Sequence, residues 1–190
     1  MVGTKYYSKQ SKDYLGNNYK TYFIFYKEAP MIRLAFFLLT ILLGGHAMNN
    51  SVLAADPENT LMLELKDGMV VIEMRPDLAP KHVSRIKELV RQRFYDGLTF
   101  HRVIGGFMAQ GGDPNGNGTG GSGQNIPAEF SKEPHVRGTL SMARSSNPNS
   151  ADSQFFIVFA RSSFLDGQYS VWGKVIEGME FVGKIKRGDK

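Results

Sequence analysis

The segment Phe100-His101-Arg102-Val103-Ile104-Gly105-Gly106-Phe107-Met108-Ala109-Gln110-Gly111-Gly112-Asp113 constrains the chain more than any other. It spaces an arginine, an amide and large apolar side chains two apart, then breaks into glycine. Side chains two apart on a strand share a face, so Arg102, Met108 and Gln110 are expected to project together. Phe107 has the opposite parity and joins them only if Gly105-Gly106 bends the backbone between. The expected product is an apolar pocket with a guanidinium at its lip and no nucleophile beside it.

The rest of the pattern is rich in strands. Thr60–Leu65 and Met69–Met74 are strand-like runs joined through Lys66-Asp67-Gly68, where Asp-Gly tolerates a tight turn, so they predict a β-hairpin. Pro76-Asp77-Leu78-Ala79-Pro80 then stops the second strand, and Pro80 suits the first turn of a helix. Val83, Ile86, Leu89, Val90 and Phe94 recur at helical spacing with Lys81, Arg85, Lys87, Glu88 and Arg91 facing away. This predicts an amphipathic helix of about four turns that ends at Gly97. Residues 111–123 are glycine-rich and polar and read as loop. Further strands are expected at 138–143, 154–160 and 170–175, and a second helix at 178–186. Many strands with one well-marked helix predict a mainly β domain, a barrel or a sandwich.

With 190 residues the chain can build one domain with a real core and is too short for two ordinary ones. The absence of cysteine removes disulfides, thiol nucleophiles and cysteine metal sites from consideration. Of the net charge of +5, four units fall in residues 1–55, where six basic side chains face two acidic ones. The remainder is close to neutral and has no basic stripe for phosphates, so no nucleic-acid partner is expected.

Met31-Ile32-Arg33 leads into the apolar run Leu34–Leu43, followed by the small-residue sites Gly45-His46-Ala47 and Val52-Leu53-Ala54-Ala55. A short basic region, a short apolar core and a small-x-small exit make a secretory signal peptide over residues 31–55. A membrane span needs about 20 apolar residues. Membrane contact is therefore expected only in transit, and the mature protein in the periplasm or medium, or in the cytoplasm if the leader is unused. Residues 1–30, with six tyrosines and five lysines, form an unexplained extension, read either as lying upstream of a true start at Met31 or as a segment that the exported protein loses. Residues 56–190 are left as the folded domain.

Taken with Gly138-Thr139-Leu140-Ser141-Met142-Ala143-Arg144, Ser153-Gln154-Phe155-Phe156-Ile157, Phe164-Leu165-Asp166-Gly167, Val171-Trp172-Gly173-Lys174-Val175 and Gly178-Met179, the central segment resembles the cyclophilins, the cyclosporin-type peptidyl-prolyl cis-trans isomerases. The resemblance runs from about Asn59 to Arg187, in the family's order. It implies a closed antiparallel eight-stranded β-barrel capped by two helices. It implies an enzyme that accelerates X–Pro isomerisation during protein folding, without covalent intermediate or cofactor, as a monomer acting on unfolded or flexible polypeptides. By the same resemblance Arg102 is the catalytic donor and Gln110 holds it. Phe107, Met108, Phe156 and Leu165 form the proline pocket. Ala143 and Arg144 meet the substrate main chain like an added strand. Gln154, Phe164 and Tyr169 complete the binding surface. His101 is a tempting base, but bond rotation needs no proton transfer, and a buried structural role is expected.

The chain departs from the family in places. Many cyclosporin-sensitive relatives carry tryptophan where Phe164 stands and histidine where Tyr169 stands, a pattern like the bacterial exported branch. Weak cyclosporin binding with activity retained is the expectation. Gly105 replaces a common proline. The family continues to a last strand beside the first, whereas this chain ends at Lys190, so the first strand is expected to keep an unpaired edge. The rival reading is a proline-peptide binding module, or holdase, with little turnover. Asp113-Pro114-Asn115-Gly116-Asn117-Gly118 matches half of a calcium loop, but its twelfth position is Gln124 and no helix pair flanks it. The glycine run also lacks the Gly-Lys-Ser/Thr ending of a phosphate-binding loop.

Overall fold

The computed structural model describes residues 56–186. The expected extension over residues 1–30, the expected signal peptide over 31–55 and the last four residues lie outside the described residues. Seven strands form one antiparallel sheet: β1 (Thr60–Leu65), β2 (Gly68–Met74), β3 (Arg102–Ile104), β4 (Met108–Gly111), β5 (Thr139–Met142), β6 (Phe155–Val158) and β7 (Val171–Glu177). Their spatial order is β1-β2-β7-β5-β6-β4-β3. A long helix, α1 (Pro80–Arg91), and a single helical turn, α2 (Met179–Val182), accompany it.

The closed eight-stranded barrel is not what these residues form. β1 and β3 stand at opposite ends of the strand order and do not pair. Closure needs a continuous ladder around the ring, and β3, only three residues long, is paired on one side by β4. The sheet is instead a curled half-barrel. One core joins Leu61 and Leu63 of β1, Val103 of β3 and Val83, Ile86 and Leu89 of α1.

The hairpin at the start forms as expected, with Leu65 opposite Gly68. A Cβ on Gly68 would lie 2.6 Å from the Phe181 ring of α2, so glycine lets that helix pack against the strand. Helix α1 begins at Pro80 but ends at Arg91, short of Gly97. Phe94 N–H bonds Leu89 O at 2.9 Å and Arg93 N–H bonds Val90 O at 2.9 Å, a Schellman ending in which Arg93, at φ 59°, takes the left-handed place usually given to glycine. Ala79 offers no side-chain cap. The Glu129 carboxylate caps the helix from afar, accepting from Lys81 N–H and His82 N–H at 3.1 Å and meeting His82 Nδ1 at 2.6 Å. Burial pushes the Glu129 carboxyl up, but His82 and the two amides outweigh it and hold it below its usual range.

Strands β4 and β6 carry two sets of apolar side chains, and β5 adds to the first. Ala109, Leu140, Met142, Phe155 and Ile157 enter the main core. Met108, Phe156 and Val158, with Leu165, form a second and separate apolar cluster on the other face. Period-two alternation thus builds the fold on one side and a floor for something else on the other.

Candidate active site

The central segment is a β-hairpin rather than one interrupted strand. Phe107 N–H bonds Ile104 O at 3.0 Å, and Gly106 takes φ 76° at the bend. Arg102 is thereby placed directly opposite Gln110, and Ile104 opposite Met108. Phe107 lies in the turn, outside the strand alternation, and lines the same cavity as Met108.

That cavity, of about 600 Å³, lies over the second apolar cluster. Met108, Phe156 and Leu165 make its floor, and Phe107, Phe164 and Tyr169 its walls. The Phe107 and Phe164 rings lie 5.4 Å apart, and Phe164 remains 69 % exposed. Phe156 meets Tyr169 edge-on at 5.6 Å. Arg102 and Gln110 stand at the lip, with Arg102 Nη1 donating to Gln110 Oε1 at 3.2 Å.

The orientation of that amide is fixed from behind. Gln154 Nε2 donates to the carbonyls of Gly118 and Gly120 at 3.1 and 2.7 Å, so its Oε1 must point the other way, where it accepts from Gln110 Nε2 at 2.9 Å. Gln110 Oε1 is thereby left facing the guanidinium. Gln154 lines the adjoining cavity rather than the main one, and its side-chain hydrogen bonds hold Gln110.

The glycine loop that anchors this relay is built on two carboxylates. Asp113 is buried and accepts from the amides of Asn115, Asn117 and Gly118. Burial raises its carboxyl, but these amides and His101 outweigh it and leave it lowered. Asp152 accepts from Ser122 N–H at 2.7 Å and Gly123 N–H at 2.9 Å. Asp113 therefore serves as an acceptor for backbone amides, which occupy the oxygens that a calcium loop would offer to a cation. Gly112, at φ 81°, has no room for a Cβ, which would fall 2.5 Å from Ser153 O.

His101 lies outside the cavity and is half-buried, not fully buried as expected. Neither ring nitrogen has a partner, and burial pushes its pKa down despite Asp113 nearby. Ala143 N–H is committed to Gln154 O at 2.9 Å, which leaves only its carbonyl for a bound peptide. Arg144 is a clasp: Nε and Nη2 reach Gln168 O at 3.2 and 3.0 Å, Nη1 reaches Ser145 O at 2.9 Å, and the guanidinium sits 4.7 Å from the Tyr169 ring centroid. Gln168, which the sequence did not single out, lines the cavity beside it. Its part in the clasp is played by a main-chain carbonyl, which no side-chain pattern announces.

The family profile described as cyclophilin type peptidyl-prolyl cis-trans isomerase/CLD matches residues 60–190. The chain belongs to the cyclophilin-type peptidyl-prolyl cis-trans isomerases. Among cyclophilin relatives, a probable peptidyl-prolyl cis-trans isomerase of Brucella suis is 62% identical over 149 residues, covering 72% of this chain and 76% of the relative. Peptidyl-prolyl cis-trans isomerase B of Bacillus subtilis is 45% identical over 128 residues, covering 66% and 89%. A cyclophilin of Hirschia baltica superposes with a TM-score of 0.65 at 31% identity, covering 71% of this chain and 70% of that one. A Cryptosporidium parvum cyclophilin crystallised in the presence of the dipeptide Ala-Pro gives a TM-score of 0.61 at 32% identity, covering 66% and 86%.

Proposed function

We propose that this isomerase works by electrostatic stabilisation of the twisted imide, with Arg102 as the donor. Rotation about X–Pro faces a barrier near 20 kcal/mol because resonance gives the C–N bond double-bond character. Twisting localises the lone pair on the proline nitrogen, which then accepts a hydrogen bond better than the planar amide does. A guanidinium aimed at that nitrogen stabilises the transition state more than the ground state. Each 1.4 kcal/mol is about tenfold in rate, so a rise of about 10⁵ needs roughly 7 kcal/mol. A charge-assisted hydrogen bond, desolvation and orientation supply that together. The proline ring occupies the floor of Met108, Phe156 and Leu165, and no step calls for a nucleophile or a cofactor.

The observation that carries this reading is the guanidinium of Arg102 held by Gln110 at the edge of an aromatic-walled cavity. Turnover of a proline peptide by wild-type protein and Arg102→Ala tests it. Arg102→Ala should lower kcat/KM by about 100-fold, roughly 2.7 kcal/mol, with peptide affinity changed far less. Equal turnover in both proteins would remove Arg102 from the mechanism. Peptide binding without turnover in either would select the binding module.

The natural substrates proposed are flexible polypeptides with accessible X–Pro bonds, in keeping with the Ala-Pro used with the Cryptosporidium parvum relative. Export by a leader over residues 31–55 would place the monomeric enzyme in the periplasm or medium, acting on other exported chains. Sequencing the amino terminus of the mature protein decides this, since retention of the leader excludes a cleaved signal.

A further inference from the structure

We propose that His135, which lines no part of the cavity, is a positioning residue that locks the pocket floor to its rim. The proposal rests on the pocket assignment above.

His135 is fully buried and uses both ring nitrogens. Nδ1 lies 3.0 Å from Asp166 Oδ1, which also accepts the His135 backbone N–H at 2.8 Å. Nε2 lies 2.8 Å from Ser141 Oγ. Asp166 pairs with Arg161 through both carboxylate oxygens, and that pairing holds its carboxyl well below the usual range. An ionised carboxylate can only accept, so Nδ1 carries the proton. Nε2 then has a lone pair, and the Ser141 hydroxyl donates to it. Burial keeps the ring neutral, lowering its pKa against the pull of Asp166.

The arrangement has the residue types of a hydrolytic triad, yet Ser141 is fully buried and its proton is committed to the ring. A nucleophile without access to substrate does no acyl chemistry. Instead, each arm ends beside a pocket residue. Ser141 pairs across the sheet with Phe156, and the His135 ring stacks on Phe156 at 6.3 Å and 19°. The ring meets Tyr169 edge-on at 6.5 Å. Asp166 follows Leu165 directly and ends the 3-10 turn Ser163–Leu165 that carries Phe164. Floor and rim come from separate stretches of chain, and this buried polar chain joins them. Because every donor and acceptor in it is matched, one geometry is preferred over its alternatives.

The test uses proline-peptide isomerisation with kcat and KM measured separately, together with the Leu165 methyl resonances in the full chain. Asp166→Ala should raise KM about 5- to 20-fold, leave kcat within threefold and shift the Leu165 methyl signals. His135→Ala should do the same. His135→Asn retains a donor where Nδ1 stands and should keep KM within about threefold of wild type. An unchanged KM in Asp166→Ala would overturn the proposal, as would equal KM values in His135→Asn and His135→Ala. If His135→Ala does not fold, Asp166→Ala alone decides. Arg102→Ala in the same assay separates the two readings: full turnover there rejects Arg102 as the donor, whereas a normal loss there with an unchanged KM in Asp166→Ala rejects only the role of His135.

Discussion

Gln154 and Gln110 share one hydrogen bond of 2.9 Å, and its direction decides which end of the Gln110 amide meets Arg102. The two glycine-loop carbonyls that receive the Gln154 amino group leave its oxygen a single orientation. A flipped Gln110 would point an amino group at a guanidinium, donor against donor. The loop thus reaches Arg102 through two side chains.

Gln154→Ala removes that control without opening the pocket floor. The loss of one oriented neutral hydrogen bond, about 1 kcal/mol, corresponds to roughly fivefold in kcat/KM. Gln154→Glu should be at least as damaging, because a carboxylate cannot donate to Gly118 O and Gly120 O. Steady-state kinetics on both variants check this, and wild-type activity in Gln154→Glu would refute the relay.

Cyclosporin should inhibit weakly. Phe164 presents a smaller ring than tryptophan and has no indole N–H to donate, although it stands 69 % exposed at the rim. Phe164→Trp should tighten inhibition by about tenfold or more, as a hydrogen bond and added ring area together suggest. Nanomolar inhibition of the unmodified protein would contradict the expectation.

Stability should fall on mild acidification. Burial holds His82, His101 and His135 below the 6.5 of a free imidazole, against nearby carboxylates. The unfolded chain therefore binds more protons than the folded one once the pH drops below about 6.5. Stability present above that pH is lost progressively as the pH falls toward the folded-state values. Lowered carboxyls at Asp166, Glu129 and Asp113 add a second loss below about pH 4. Urea midpoints should be level above about pH 7, decline between about pH 6.5 and 4, and drop more steeply below. A midpoint that is flat from pH 7 to 5 would show that the buried imidazoles do not titrate on unfolding.

Gly112→Ala should destabilise by about 2–4 kcal/mol. The residue sits at φ 81°, and its Cβ would lie 2.5 Å from the Ser153 carbonyl, main chain that cannot step aside. Urea titration measures the loss. A change below about 0.5 kcal/mol, the range of ordinary surface substitutions, would mean that the β4 terminus rearranges freely.

Local signals carried much of the fold. The β1–β2 hairpin and the Pro80 start of α1 follow from alternation and from proline geometry, and both are present. The end of α1 was hidden because Arg93 occupies a position where glycine is the usual marker. The β3–β4 hairpin looked like one bent strand, since Gly105-Gly106 is equally a bulge and a turn until the partner strand is known. Sheet curl is a property of all seven strands together, and no single segment encodes it. At the site, the side chains that line the cavity were legible through family resemblance. Gln168 was not, since it contributes a carbonyl. The roles of Gln154 and His135 depend on partners 44 and 31 positions away, a relationship that composition and spacing leave unstated.

The two apolar clusters on opposite faces of β4 and β6 answer to different demands. Odd and even positions of one strand can therefore change on separate evolutionary clocks. A library that randomises Phe107, Phe164 and Tyr169 should return many folded proteins with altered peptide preference. The same freedom given to Ala109, Leu140 and Ile157 should return few folded proteins at all.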